Sequence, residues 1–189
     1  MKTTMKNAML LLVTFAVSSL TAQTQSIDVE TSSIKWIGTK VVSGSHDGTL
    51  NFSSGSLTYE NDVLSAGEFV VDMNSMVCTD LEGRYKKKLE KHLKSDDFFG
   101  VASHPEATLT ISEISADADG NYSAVGDFTI KGITQSIPFT LETTDDALVA
   151  EVTIDRSKHD IRYGSGSFFD NLGNKAISDD FNLTVTLKL

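Results

Sequence analysis

A single cysteine, Cys78, stands among 189 residues, so the chain has no internal disulfide and depends on its core. Such a cysteine reads as a small buried hydrophobe rather than a reactive thiol. Basic residues are scarce: 16 Lys and Arg face 26 Asp and Glu, a formal charge of −10. That balance argues against nucleic acid and anionic surfaces as general partners, since both require a basic face. Long apolar runs are absent after the N-terminal stretch, and that stretch, Ala8 to Val17, is too short to cross a bilayer. A membrane-embedded protein is not expected. Missing too are a G-x-S-x-G elbow, a phosphate-binding glycine loop and a dinucleotide fingerprint, along with internal repeats and heptads. Enzymatic activity therefore has little to rest on, and no cofactor is implied.

What the N-terminus does contain is Lys2 and Lys6, the apolar run, and then small residues ending at Thr21-Ala22. This is the anatomy of a secretory signal peptide over residues 1–22, and it implies export to the periplasm or beyond. Residues 23–189 suit a single domain. Without Lys2 and Lys6, 14 bases remain against 26 acids, a charge of about −12.

From Ile34 onward the chain alternates at strand period. A first strand runs to about Val42, and Ser43 to Gly48 reads as a turn-rich break before Leu50 and Phe52. Further strands are expected over Val63 to Met73, Ala107 to Ser115 and Tyr122 to Ile130. Others run around Ile137 to Leu141, where Pro138 belongs at an edge or a strand start, from Leu148 to Asp155, and from Phe181 to Leu189. Only between Thr79 and Lys94 does the period change. Thr79 and Glu82 have capping-box spacing, and Tyr85, Leu89 and Leu93 form one apolar stripe on a lysine-rich helix. Ser95, Asp96 and Asp97 stop it. The segment from Arg156 to Asp180 is long and rich in aromatics and glycine, which suggests a cover. About eight antiparallel strands with one short helix after the fourth strand region define a mainly β protein, a closed barrel in preference to a sandwich.

Polar constellations are weak by comparison. His46, His92, His104 and His159 lack the spacing of zinc ligands on a helical face, so no metal is expected. Ser115 to Gly120 reads as a hairpin turn rather than a calcium loop. The helix lysines form a solvated face, or else meet an acidic partner or lipid headgroups. Aromatics are placed more pointedly: Trp36, Phe52, Phe69, Phe128 and Phe139 fall on apolar strand faces, as do Val152 and Ile154. Phe98, Phe99, Tyr163, Phe168 and Phe169 lie in the segments expected to close the ends. A filled core and a lined tunnel both satisfy this pattern.

Three ordered motifs resemble the YceI-like family across the chain from about Ile27 to Leu189. His92-Leu93-Lys94-Ser95-Asp96-Asp97-Phe98-Phe99 followed by Pro105 is similar to its H-L-x-S-x-D-F-F signature, and Gly126 to Thr134 to its G-x-L-x-I-x-G-V-T hairpin. Ile154-Asp155-Arg156, Ile161 to Gly164 and Asp179-Asp180-Phe181 resemble its last third. Leu109 stands where an aromatic is more usual. The resemblance implies a lipocalin-like antiparallel barrel that holds a polyisoprenoid or similar amphiphile in an apolar pore, with no catalytic set. The residues named above on strand faces would line the pore, Tyr163, Phe168 and Phe169 would cover one mouth, and His92, Arg156 and Tyr163 are headgroup candidates. A filled barrel docking a protein partner through its basic helix is the alternative, a carboxylate-based hydrolase ranks below both, and a homodimer is left open.

Overall fold

A computed structural model describes residues 22–42 and 44–189. The leader expected at the N-terminus therefore falls, except for Ala22, outside the described residues. Nine strands and one α-helix follow in the order β1 (Ala22–Ser26), β2 (Ser33–Lys40), β3 (Ser45–Glu60), β4 (Val63–Cys78), α1 (Gly83–Lys94), β5 (Glu106–Ala116), β6 (Tyr122–Ile130), β7 (Ile133–Thr143), β8 (Leu148–Asp155) and β9 (Ile177–Leu187). β2 through β9 pair antiparallel around a ring closed by β2 with β9 and by β3 with β4. The fold is a closed eight-stranded barrel, with α1 after β4. β1 adds to the part of β3 that runs past β2, pairing Ala22–Ser26 with Glu60–Ser56.

Alternation produces the interior directly. On β8, Leu148, Ala150, Val152 and Ile154 are buried between half-exposed and exposed neighbours, and on β6 Ala124, Gly126, Phe128 and Ile130 repeat the pattern. Because neighbouring strands run oppositely, the connections segregate. The turns β3–β4, β5–β6 and β7–β8 lie at one end of the barrel, the hairpin end. The β2–β3 turn, α1, the β6–β7 turn and the 156–176 segment lie at the other, the helix end. A plug of Ile27, Leu57 and Leu64, each at most 6% exposed, fills the overhang beneath β1.

Several sequence expectations need correction. β3 begins at Ser45, so His46-Asp47-Gly48 is strand rather than turn, paired with Gly38, Ile37 and Trp36. Barrel closure makes the difference: this stretch must bridge β2 to β4, and a Cβ at Gly48 would lie 2.5 Å from the Trp36 ring and collide with the Val77 carbonyl oxygen. Only glycine lets the indole lie flat there. The capping box does not form either. Glu82 is the helix N-cap without a side-chain bond, and the Thr79 hydroxyl instead donates to Asp47 Oδ2 at 2.6 Å. Pro138 sits inside β7, but the ladder to β8 begins only at Thr140, so the local edge expected for it arises within the strand.

Candidate ligand cavity

The barrel encloses a cavity of about 150 Å³ lined almost wholly by apolar side chains. Trp36, Phe52, Phe69, Phe128, Phe139, Val152 and Ile154 all line it, converging from β2, β3, β4, β6, β7 and β8. Phe52 meets Phe69 at 6.0 Å between ring centroids, and Phe128 meets Phe139 edge-on at 5.9 Å. Sequence reasoning missed Met73, Met76 and Leu109, which also line it; the alternation of β5 carries the signal for Leu109, while β-bulges in β3–β4 hide that for Met76. The Trp36 indole N–H is buried and has no acceptor.

Polar lining residues gather toward the helix end: Thr108, Arg156, Ser178 and Asp180. Arg156 is 2% exposed, and four of its N–H groups donate to the carbonyls of Ser178, Ile161, Tyr163 and Ile177 at 2.8–3.1 Å. Its remaining N–H faces Asp179 Oδ1 at 3.4 Å, and its guanidinium lies 5.4 Å from the Phe98 ring centroid. Burial lowers the pKa of Arg156, opposed by the charges of Asp179 and Asp155. For Asp179, burial pushes upward, but hydrogen bonds from Ser165 and Ser167 and the charge of Arg156 win, leaving its carboxyl below the ordinary range. Arg156 thus ties the 156–176 segment to β9, with its N–H donors engaged by protein acceptors, while its side chain also lines the cavity.

The rings that close over the cavity are Phe98 and Phe99. Both line it, 5.1 Å apart, and Phe99 packs edge-on against Phe181 at 6.2 Å. Tyr163, Phe168 and Phe169 do not line the cavity; they stand on its rim, 47%, 39% and 50% exposed. Tyr163 rests on His92, ring centroids 4.3 Å apart. His92 also lies outside the lining, its Nε2 buried without a partner.

Elsewhere the clearest polar cluster is that of Cys78, Asp80 and His46. Cys78 Sγ donates to Asp80 Oδ1 at 3.0 Å, and His46 Nδ1 meets Asp80 Oδ2 at 2.8 Å. The carboxylate therefore separates imidazole from thiol. Burial and Asp80 raise the Cys78 pKa, while Asp80 is held at about 2, burial being outweighed by hydrogen bonds from Cys78, His46 and the Asp47 amide. A buried thiol that donates to a carboxylate and whose pKa is raised is kept protonated, not activated as a thiolate. Among the described residues, no three His, Cys, Asp or Glu side chains gather as metal ligands, and no helix is long and apolar enough to cross a membrane.

A closed antiparallel barrel with an apolar hollow and polar groups at one end has the architecture of a ligand-enclosing, lipocalin-like protein. The chain belongs to the YceI-like domain family, whose sequence profile matches residues 25–189. It is 30% identical over 142 residues to a UPF0312 protein of Yersinia enterocolitica, a stretch covering 74% of this chain but 64% of that relative's length. Similar solved structures include BcnA of Burkholderia cenocepacia, with a TM-score of 0.63, 22% identity and coverage of 85% of this chain and 98% of that one. A polyisoprenoid binding domain from Saccharophagus degradans, implicated in plant cell wall breakdown, follows with a TM-score of 0.58, 13% identity and coverage of 89% and 97%. These structures share the fold.

Proposed function

We propose that the protein is an exported binding protein that takes the chain of a long apolar or amphiphilic lipid, of the polyisoprenoid kind, into the barrel for transport, storage or sequestration. The observation that carries this reading is the uneven polarity of the cavity: mostly apolar along the strands, with Thr108, Arg156, Ser178 and Asp180 toward the helix end. An amphiphile fits such a space chain first, leaving its headgroup at the helix end. Chain burial supplies the affinity, at about 25 cal/mol per Å² of apolar surface. The polyisoprenoid binding named for the structural neighbour from Saccharophagus, the family membership and the signal-peptide anatomy support the reading.

A second reading, a filled barrel acting only as an interaction module, draws on the size of the hollow. Its volume of about 150 Å³ is that of a benzene-sized void, below the roughly 300–1,000 Å³ of ordinary ligand pockets. Mass spectrometry of organic extracts from the protein isolated from its own envelope separates the two. A stoichiometric lipid is expected; an empty protein that also refuses added polyprenyl lipids supports the filled barrel. Ala150, 4% exposed and lining the cavity, offers the matching variant. Ala150→Leu is expected to lower lipid uptake at least tenfold in a protein whose urea midpoint is preserved.

A further inference from the structure

The two ends of the barrel differ in charge and in surface chemistry. At the hairpin end each turn carries two carboxylates: Glu60 and Asp62, Asp117 and Asp119, Asp145 and Asp146. The one cation there among the described residues, Lys188, is paired with Asp146. The helix end is mixed in charge, with Asp96, Asp97, Asp160, Asp170 and Asp180 exposed there, but its cations are concentrated on α1, which carries Arg84, Lys86, Lys87, Lys88, Lys91 and Lys94 against Glu90 alone. Glu90 is engaged with the Cys78 amide at 3.0 Å, and Arg84, Lys87, Lys88 and Lys91 are exposed.

Apolar groups crown the same end. Phe168 and Phe169 are 39% and 50% exposed, Tyr85 61% and Val41 66%. They belong to one rim: Tyr163 rests on His92 of α1, the same segment bears Phe168 and Phe169, and its far end receives the Val41 amide on the Ala176 carbonyl at 3.0 Å. Cations lie over two of these rings, Arg162 at 5.0 Å from the Phe168 centroid and Arg84 at 4.9 Å from that of Tyr85.

We infer that the helix end is a membrane-docking face that seats the barrel mouth on an anionic lipid surface. Exposed rings flanked by cations are the groups that settle at headgroup level, with lysines reaching to lipid phosphates. An acidic protein partner would use the lysines but leave Phe168, Phe169 and Val41 without a role. The acidic hairpin end is repelled by the same surface, so the barrel approaches mouth first. Phe98 and Phe99, which close the cavity, then face the bilayer, and a lipid chain crosses without entering water. The purpose of this docking rests on the barrel's being a lipid carrier; the surface itself does not.

Flotation of the protein, isolated from its own cells, with vesicles of equimolar phosphatidylcholine and phosphatidylglycerol tests the inference. Binding is expected at low salt, with loss on pure phosphatidylcholine vesicles and at high salt. Lys87→Gln, Lys88→Gln and Lys91→Gln together should weaken it about a hundredfold, about fivefold per lysine. Phe168→Ser with Phe169→Ser should weaken it at fixed charge. In Phe169→Trp, an emission blue shift on vesicle addition is expected, and this reports insertion even if the lysine variant fails to fold. Binding indifferent to anionic lipid, or unchanged in both variants, overturns the inference. So does salt-sensitive capture by polyglutamate without vesicle binding, or rim-dependent self-association instead. Cargo is read separately in extracts, so an empty barrel that floats refutes the carrier reading alone, and a loaded barrel that does not float refutes docking alone.

Discussion

Arg156 shows how a buried charge serves this fold. Its N–H groups hold four carbonyls from two segments, Ile161 and Tyr163 on one and Ile177 and Ser178 on the other. Arg156→Met leaves those carbonyls without this donor and Asp179 without its counter-charge and is expected to cost about 3–5 kcal/mol in urea unfolding. Arg156→Lys, with three donors in place of five and no planar fork, should recover less than half of that. A headgroup role would give the opposite result, lost lipid affinity at unchanged stability. His159 supplies a pH dependence. It is fully buried, with Nδ1 donating to the Ile133 carbonyl at 3.0 Å, and burial lowers its pKa despite that bond. The unfolded chain therefore binds a proton near the ordinary value of about 6.5 that the folded protein refuses. Stability is fully present above that pH and falls as pH drops from about 6.5 toward the depressed folded value. His159→Gln lowers stability overall but should flatten this slope between neutral and mildly acid pH; an unchanged slope would assign the acid sensitivity elsewhere.

At the scale of elements, β3 and α1 mark the limits of sequence reasoning. Strands whose faces alternate cleanly, β6 and β8 above all, were legible to within a residue, because burial on one face imposes period two. The start of β3 was not legible, because Gly48 signals a turn locally and is a strand residue only because the Trp36 ring needs the space. Gly48→Ala should therefore destabilise the barrel by about 1–3 kcal/mol, measured by thermal or urea unfolding. A neutral outcome would mean that the contact between indole and backbone is easily relaxed. Thr79 failed as a cap for a related reason: its hydroxyl and amide hold Asp47 of β3, a partner distant in sequence. The cavity-lining aromatics were legible from alternation, and Phe98 and Phe99 from the apolar plug they form where the helix stops, whereas the exclusion of Tyr163, Phe168 and Phe169 from the lining depends on how the 156–176 segment folds. The carbonyl partners of Arg156 leave no trace in side-chain patterns at all.

For the whole molecule, the contrast between a hollow of about 150 Å³ and a long lipid has a kinetic consequence. A polyprenyl chain cannot enter until side chains move apart, and the interior is too closely packed for that to happen as a continuous yielding. The opening falls to the helix end. There Phe98 and Phe99 line the cavity, Phe99 is only half-buried, and the 156–176 segment crosses the same end, tied to the barrel by Arg156, by the Ile177 amide on the Gly164 carbonyl and by Ser167 on Asp179. Opening before binding makes the uptake rate level off as lipid concentration rises, since the closed barrel must first convert to the open one. Stopped-flow uptake of a fluorescent polyprenyl probe should therefore saturate in the wild type. Phe99→Ala removes the ring that bridges Phe98 to Phe181, so its plateau rate should rise about tenfold or more while the urea midpoint falls. The barrel wall below is untouched, so release speeds up as well and affinity changes less than either rate. A rate that stays linear in lipid concentration toward the diffusion limit, or a Phe99→Ala plateau equal to that of the wild type, would place the path of the chain somewhere other than the helix end.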